Sequence, residues 1–114
     1  MTVEELTNLC NFEILNLGNP EAEVSAPYCC DLLSIAMGKA PAGCAWCTVM
    51  SNMNTLAVAT LTDASCIILC ENVQTDDNMR LKAVSEKINL FRTNHAVFDT
   101  ALEVYKKIND ETCL

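Results

Sequence analysis

The sequence predicts a single α/β domain with a mostly parallel sheet, and three observations predict it. Ala45, Trp46, Cys47, Thr48, Val49 and Met50 form a run of apolar and β-branched residues, followed by a Ser/Asn turn and the apolar stretch Leu56 to Ala59: a strand, a turn and a helix. Cys66, Ile67, Ile68, Leu69 and Cys70 are a short continuous apolar run bounded by Asp63 and by Glu71 and Asn72, the signature of a parallel strand buried on both faces. From residue 45 onward strands and helices alternate, and that order builds parallel sheets through right-handed crossovers.

The elements follow in order. Thr2 and Glu5 make a capping-box pattern for a helix over residues 2–9, with Val3, Leu6 and Leu9 or Cys10 on one face. Phe12 and Ile14 alternate with polar neighbours, predicting an edge or half-buried strand over 12–15, which Leu17, Gly18, Asn19 and Pro20 end. Residues 23–26 form a second extended piece, and Pro27, without an amide hydrogen, closes it. Asp31 is placed to cap a helix over 32–39 with Leu32, Leu33, Ala36 and Met37 inward, stopped by Pro41 and Gly43. After the strand at 45–50 comes a helix from Thr55 to about Thr62, apolar all round and in need of cover beyond the sheet, from a neighbouring helix or a second subunit. Thr75, Asp76 and Asp77 start a helix to about Lys87 with Leu81, Val84 and Ile88 inward. Residues 89–93 give a last strand. Thr93 or Asn94 caps a final helix with Phe98, Ala101, Leu102, Tyr105 and Ile108 as its stripe, and the tail 109–114 is expected to fray.

Composition narrows the partners. One domain of 114 residues, 51% hydrophobic and 19% charged, can close its own core, and no apolar run is long enough to cross a bilayer. A net charge of −8 opposes binding to phosphate backbones or anionic lipid, so neither nucleic acid nor membrane is expected as a partner. The acidic start at Glu4 and Glu5 lacks the pattern of a secretory signal, which predicts a cytoplasmic chain whose eight cysteines are mostly reduced.

In parallel sheets ligands sit beyond the carboxyl ends of the strands. That edge collects Ser51, Asn52 and Asn54 from one turn, Glu71 and Asn72 from the next, and Thr93, Asn94 and His95 from the third. Asn52 and Asn54 either read a ligand's hydrogen-bonding edge or cap the apolar helix. His95, the single histidine, has no nucleophile at recognisable spacing and reads first as a residue of the helix start. Glu4 with Glu5 and Asp76 with Asp77 read as solvated helix starts.

Tyr28, then Asp31, Leu32, Leu33 and Ser34 with Met37, then Gly43 and Trp46, Cys47 and Thr48, then Asn54 with Ala57, Val58 and Ala59 occur in an order that continues through Cys66 to Leu69 and the Asp76-led and Phe98 to Tyr105 helices. In these residues the chain resembles the small stand-alone DRTGG-domain proteins of anaerobic bacteria, related to the N-terminal domain of HPr kinase/phosphorylase. The resemblance implies a three-layer α/β domain and a regulatory or dimer-forming role instead of a catalytic one. The pentapeptide that names the family is absent, and the turn Ser51 to Asn54 stands in its place. A kinase is excluded more directly: the three glycines, Gly18, Gly38 and Gly43, frame no phosphate loop.

Cys44 and Cys47 have the spacing of a redox or metal pair, but they begin a strand and lack the helix start that would activate a thiol. They read first as core residues and, in the alternative, as metal ligands of a cysteine-based redox or metal-binding accessory protein. Cys29, Cys30 and Cys113 read as incidental. The reading that results is a non-catalytic regulatory or interaction module without a cofactor. It is expected to form a homodimer through Met53, Leu56 and Val58, to meet an enzyme or regulatory partner, and to sense a small anionic or nucleotide effector at the strand ends.

Overall fold

A computed structural model describes residues 1–109; Cys113 and the rest of the tail beyond Asn109 fall outside the described residues. In chain order the elements are α1 (Val3–Leu9), β1 (Glu13–Asn16), β2 (Pro27–Cys29), α2 (Leu33–Lys39), β3 (Ala45–Thr48), α3 (Met53–Leu61), β4 (Cys66–Leu69), α4 (Asp77–Ser85), β5 (Leu90–Arg92) and α5 (Val97–Ile108). The five strands make one sheet in the order β1-β5-β4-β3-β2. Strands β2 to β5 run parallel, and β1 pairs antiparallel with β5, Ile14 opposite Phe91.

The period of two in the buried strands sorts their side chains onto two faces. Ala45, Cys47, Cys66, Ile68 and Phe91 pack against Val3 and Leu6 of α1 and Ala101 and Val104 of α5. Trp46, Ile67, Leu69 and Leu90 pack against Ala36 of α2, Leu56, Val58 and Ala59 of α3, and Met79 and Ala83 of α4. Two helices, a sheet and three helices are the expected three layers. No helix among the described residues is long and apolar enough to cross a membrane.

Local chemistry explains the starts of three helices. Thr2 and Glu5 close a capping box at α1, and Asp76 accepts from the Met79 amide at 2.7 Å to start α4. Asn52 accepts from the amides of Asn54 and Thr55, which starts α3 two residues before the expected Thr55.

Several expectations are corrected. Pro27 does not end an extended piece; it begins β2, because β2 is an edge strand whose first residue needs no ladder amide. Residues 23–26 form no strand, and only Glu23 bridges, to Thr2. Asp31 does not cap α2, whose N-cap is Leu32 without a side-chain bond; its carboxylate accepts instead from Thr48 Oγ1 at 2.7 Å and the Val49 amide at 3.0 Å. Leu32 and Met37 are half exposed, and Ala36 is the residue α2 buries.

The faces of α4 and α5 also differ from their apolar stripes. Leu81 and Val84 are exposed while Met79 and Ala83 are buried, and Phe98, Leu102 and Tyr105 are exposed while Thr100, Ala101 and Val104 are buried. Small residues at these contacts let both helices lie close to the sheet, which a count of large apolar side chains overlooks. No side chain caps α5, where Thr93 or Asn94 was expected to. The cover of α3 comes from the chain's own α2 and α4, so Leu56 and Val58 are buried within the subunit, and of the three expected dimer residues only Met53 is exposed.

Candidate functional site

The three turns that the sequence places at the carboxyl edge of the sheet are joined there by hydrogen bonds. Ser51 Oγ donates to the Gln74 carbonyl at 2.6 Å and ties the turn after β3 to the turn after β4. The amides of Glu71 and Asn72 donate to the carbonyls of His95 and Thr93 at 2.8 and 2.9 Å, and the Thr93 amide donates to Leu69 at 2.8 Å. Glu71 and Asn72 are both left-handed, with φ of 59° and 52°, a conformation that costs a non-glycine residue about 1–2 kcal/mol and that these bonds sustain.

The eight residues divide by what their side chains already do. Ser51 is held by Gln74, Asn52 caps α3, and Thr93 is buried and accepts from the His95 amide at 3.3 Å. Asn54, Glu71, Asn72, Asn94 and His95 are exposed at the edge. Helix α5 begins among them at Ala96 with no side-chain cap, so the positive end of its dipole opens on the same edge. Arg92 is engaged by Glu13 through Nε at 3.1 Å and Nη2 at 3.0 Å, and by the Val73 carbonyl. Asp31, exposed beside Thr48, belongs to this edge and was missed because a lone aspartate before a helical pattern reads as a cap.

A row of thiols on the α5 side of the sheet was also missed. Cys29 of β2 is the register partner of Cys47 of β3, and Cys70 follows β4 with its amide donating to Thr48 at 2.9 Å. Cys29 is exposed, whereas Cys47 and Cys70 are fully buried. The Cys47 thiol donates toward Cys29, which holds Cys29 down at about 7 against its partial burial, and the same contact, with burial, pushes Cys47 up. Cys70 is lowered by the same Cys47 group. One S–H serves one acceptor at a time, and the exposed Cys29 carries charge at the lower cost.

Elsewhere burial pushes Cys44 up to about 11 and Cys10 up to about 12. Cys44 and Cys47 face opposite sides of the sheet, Cys44 into the Trp46 cluster and Cys47 toward α5, so the metal pair suggested by their spacing is not formed. Among the described residues no group of three or more His, Cys, Asp or Glu is placed to hold a metal ion.

A cleft of about 710 Å³ lies at the opposite, amino edge of the sheet, lined among others by Asn19, Ser25, Asp63, Ser65, Lys87 and Asn89. Asp63 and Lys87 are left-handed because each closes a Schellman turn: the amides of Ala64 and Ile88 reach back to Ala59 and Ala83, both at 2.9 Å.

No family profile and no curated protein matches the chain. Among solved structures it is similar to the crystal structure of the CBS and DRTGG domains of the regulatory region of Clostridium perfringens pyrophosphatase, complexed with its activator, diadenosine tetraphosphate. The TM-score is 0.67 at 13% identity over 90% of this chain, which spans 45% of that one. At that identity the likeness is one of fold. The chain is thus a three-layer α/β domain of a fold found in a nucleotide-activated regulatory region.

Proposed function

We propose that the chain is a non-catalytic regulatory module of the DRTGG type, akin to the N-terminal domain of HPr kinase/phosphorylase. In this reading it senses a small anionic or nucleotide-like effector at the carboxyl edge of its sheet and passes that state to an enzyme partner. The observation that carries the proposal is the fold shared with a regulatory region whose structure holds a nucleotide activator. The uncapped start of α5, beside Asn94, His95 and the left-handed pair Glu71 and Asn72, supports the location.

Diadenosine tetraphosphate and ATP are the probes. At a hundred times its dissociation constant a bound probe stabilises the fold by about 2.7 kcal/mol, read as a thermal shift. Replacing Asn94 and His95 together by alanine is expected to abolish that shift, while Thr60→Trp, which obstructs the cleft at the amino edge, leaves it intact. The reverse pattern would move the effector to that cleft, and no shift from either probe at millimolar concentration would remove nucleotide sensing from the reading.

Self-association is the second part of the proposal, and α5 carries it in place of α3. Phe98, Leu102 and Tyr105 are exposed at helical spacing, with Asp99 near the start of the helix and Lys106 near its end. Two copies of α5 packed antiparallel about a two-fold axis bring Asp99 of each toward Lys106 of its mate, so one surface complements itself. Sedimentation checks this: the wild type is expected as a dimer, Phe98→Glu as a monomer and Met53→Glu as a dimer. A wild-type monomer at high concentration would refute it.

A further inference from the structure

We propose that Cys29 and Cys47 are a redox pair, in which exposed Cys29 attacks a low-molecular-weight disulfide and buried Cys47 resolves the adduct into an intrachain, cross-strand disulfide. The pairing follows from the sheet and does not depend on the effector. Cys29 and Cys47 are register partners on neighbouring parallel strands. Such strands lie about 4.8 Å apart, within the roughly 4.4–6.8 Å between Cα atoms that a disulfide spans.

Exposure sets the order of events. Cys29 is open to a reagent, whereas Cys47 and Cys70 are fully buried, so oxidant reaches the row only through Cys29. Cys30, the neighbour in sequence, is no competitor: it belongs to the opposite face of the sheet, and its thiol donates to the Leu32 carbonyl at 3.3 Å. Cys44, Cys66 and Cys10 are buried, and Cys44 belongs to the opposite face of the sheet. The depressed pKa of Cys29 supplies thiolate near neutral pH, and the raised pKa of Cys47 leaves its proton in place until the second step.

The exchange balances. The Cys29 thiolate bonds to one sulfur of the small disulfide, whose S–S bond breaks and releases one thiolate, which takes a proton from solvent. Cys47 then bonds to Cys29 Sγ, the mixed disulfide breaks, and the second small thiolate leaves with the Cys47 proton. The two protein thiols lose two electrons, and one small disulfide becomes two thiols. The new bond pins the end of β2 to β3 beside the contact between Asp31 and Thr48, joining the edge strand covalently to its neighbour in the sheet.

The experiment oxidises the full chain carrying Cys113→Ser with glutathione disulfide, blocks the remaining thiols and maps the peptides. The expected product is one intrachain link between Cys29 and Cys47 with every other cysteine free. Cys47→Ala, which keeps a small apolar side chain in the core, is expected to stop at a glutathione adduct on Cys29. Cys29→Ser is expected to give neither link nor adduct, and Cys70→Ser to form the link as before. A link to any other cysteine, a link between chains, or a wild-type Cys29 that stays free or keeps its glutathione would overturn the proposal.

Discussion

Trp46→Ala is expected to destabilise the protein by about 3–5 kcal/mol, a large share of the roughly 5–15 kcal/mol that holds a domain folded. Trp46 is the largest fully buried side chain, set in the middle of β3 between Tyr28 of β2 and Ile67 of β4. It fills the space beneath α2, α3 and α4, and its indole donates to the Cys30 carbonyl at 2.9 Å, fixing the segment that leaves β2. Alanine removes the ring and leaves a cavity that three helices and a sheet cannot all close. Trp46→Phe retains most of the volume but deprives Cys30 of its donor, so a smaller loss of about 1–3 kcal/mol is expected. Urea unfolding followed by far-ultraviolet circular dichroism measures both, since the only tryptophan takes the fluorescence signal with it. A Trp46→Ala variant within about 1 kcal/mol of the wild type would contradict the burial of this ring.

Gly18→Ala is the second large effect, expected at about 1–3 kcal/mol from overpacking alone. A β-carbon on Gly18 would stand 2.4 Å from the Lys87 carbonyl carbon and 2.6 Å from its Cα, and these are backbone atoms with little room to yield. Gly18 lies inside a clasp. Asn16 donates from Nδ2 to Ile88 at 2.8 Å, and the Asn19 amide and carbonyl are both engaged by the buried Asn89 side chain at 2.8 Å. A methyl group lifts this segment from the end of α4 and loosens those bonds. Gly38→Ala is the control. Nothing lies within 4 Å of a β-carbon there, inside α2, so alanine is expected to stabilise by about 0.5–1 kcal/mol. Denaturant midpoints moving in opposite directions for the two variants would bear out the contrast, and a neutral Gly18→Ala would argue against the clasp.

Where one local signal decides the outcome, the fold is legible in the sequence. The capping box of Thr2 and Glu5, the continuous apolar run at β4 and the strand-turn-helix from Ala45 each report on a few adjacent residues, and the structure agrees with them. The helix faces were less legible, because tight packing favours small residues. Ala83 and Thr100 lie against the core while Leu81 and Phe98 face outward. Strand β2 was hidden by Pro27, whose exclusion from ladders holds only for central strands.

The candidate site was legible as an edge, since the three turns lie where parallel crossovers put them, but not in its inventory. Ser51, Asn52 and Thr93 are committed to structure, and Asp31 joined the edge through a contact 17 residues away in sequence. The pairing of Cys29 with Cys47 needed the register of two strands, and no spacing along one chain encodes that.

The strand order carries a consequence for how the chain assembles. β1 and β2 are neighbours in sequence but occupy opposite edges of the sheet, and the residues between them run beneath its amino edge, with Asn19 held by Asn89 and Ser25 by Gly43. The parallel units from β3 onward close over short chain separations, whereas Glu13 meets Arg92 across 79 residues. Loop closure delays contacts of that span, so β1 finds its partner later than the parallel strands find theirs. Residues 1–26 therefore act as a strap drawn round a sheet already formed, and the edge of β5 that β1 covers stays open to intermolecular pairing until the strap is in place.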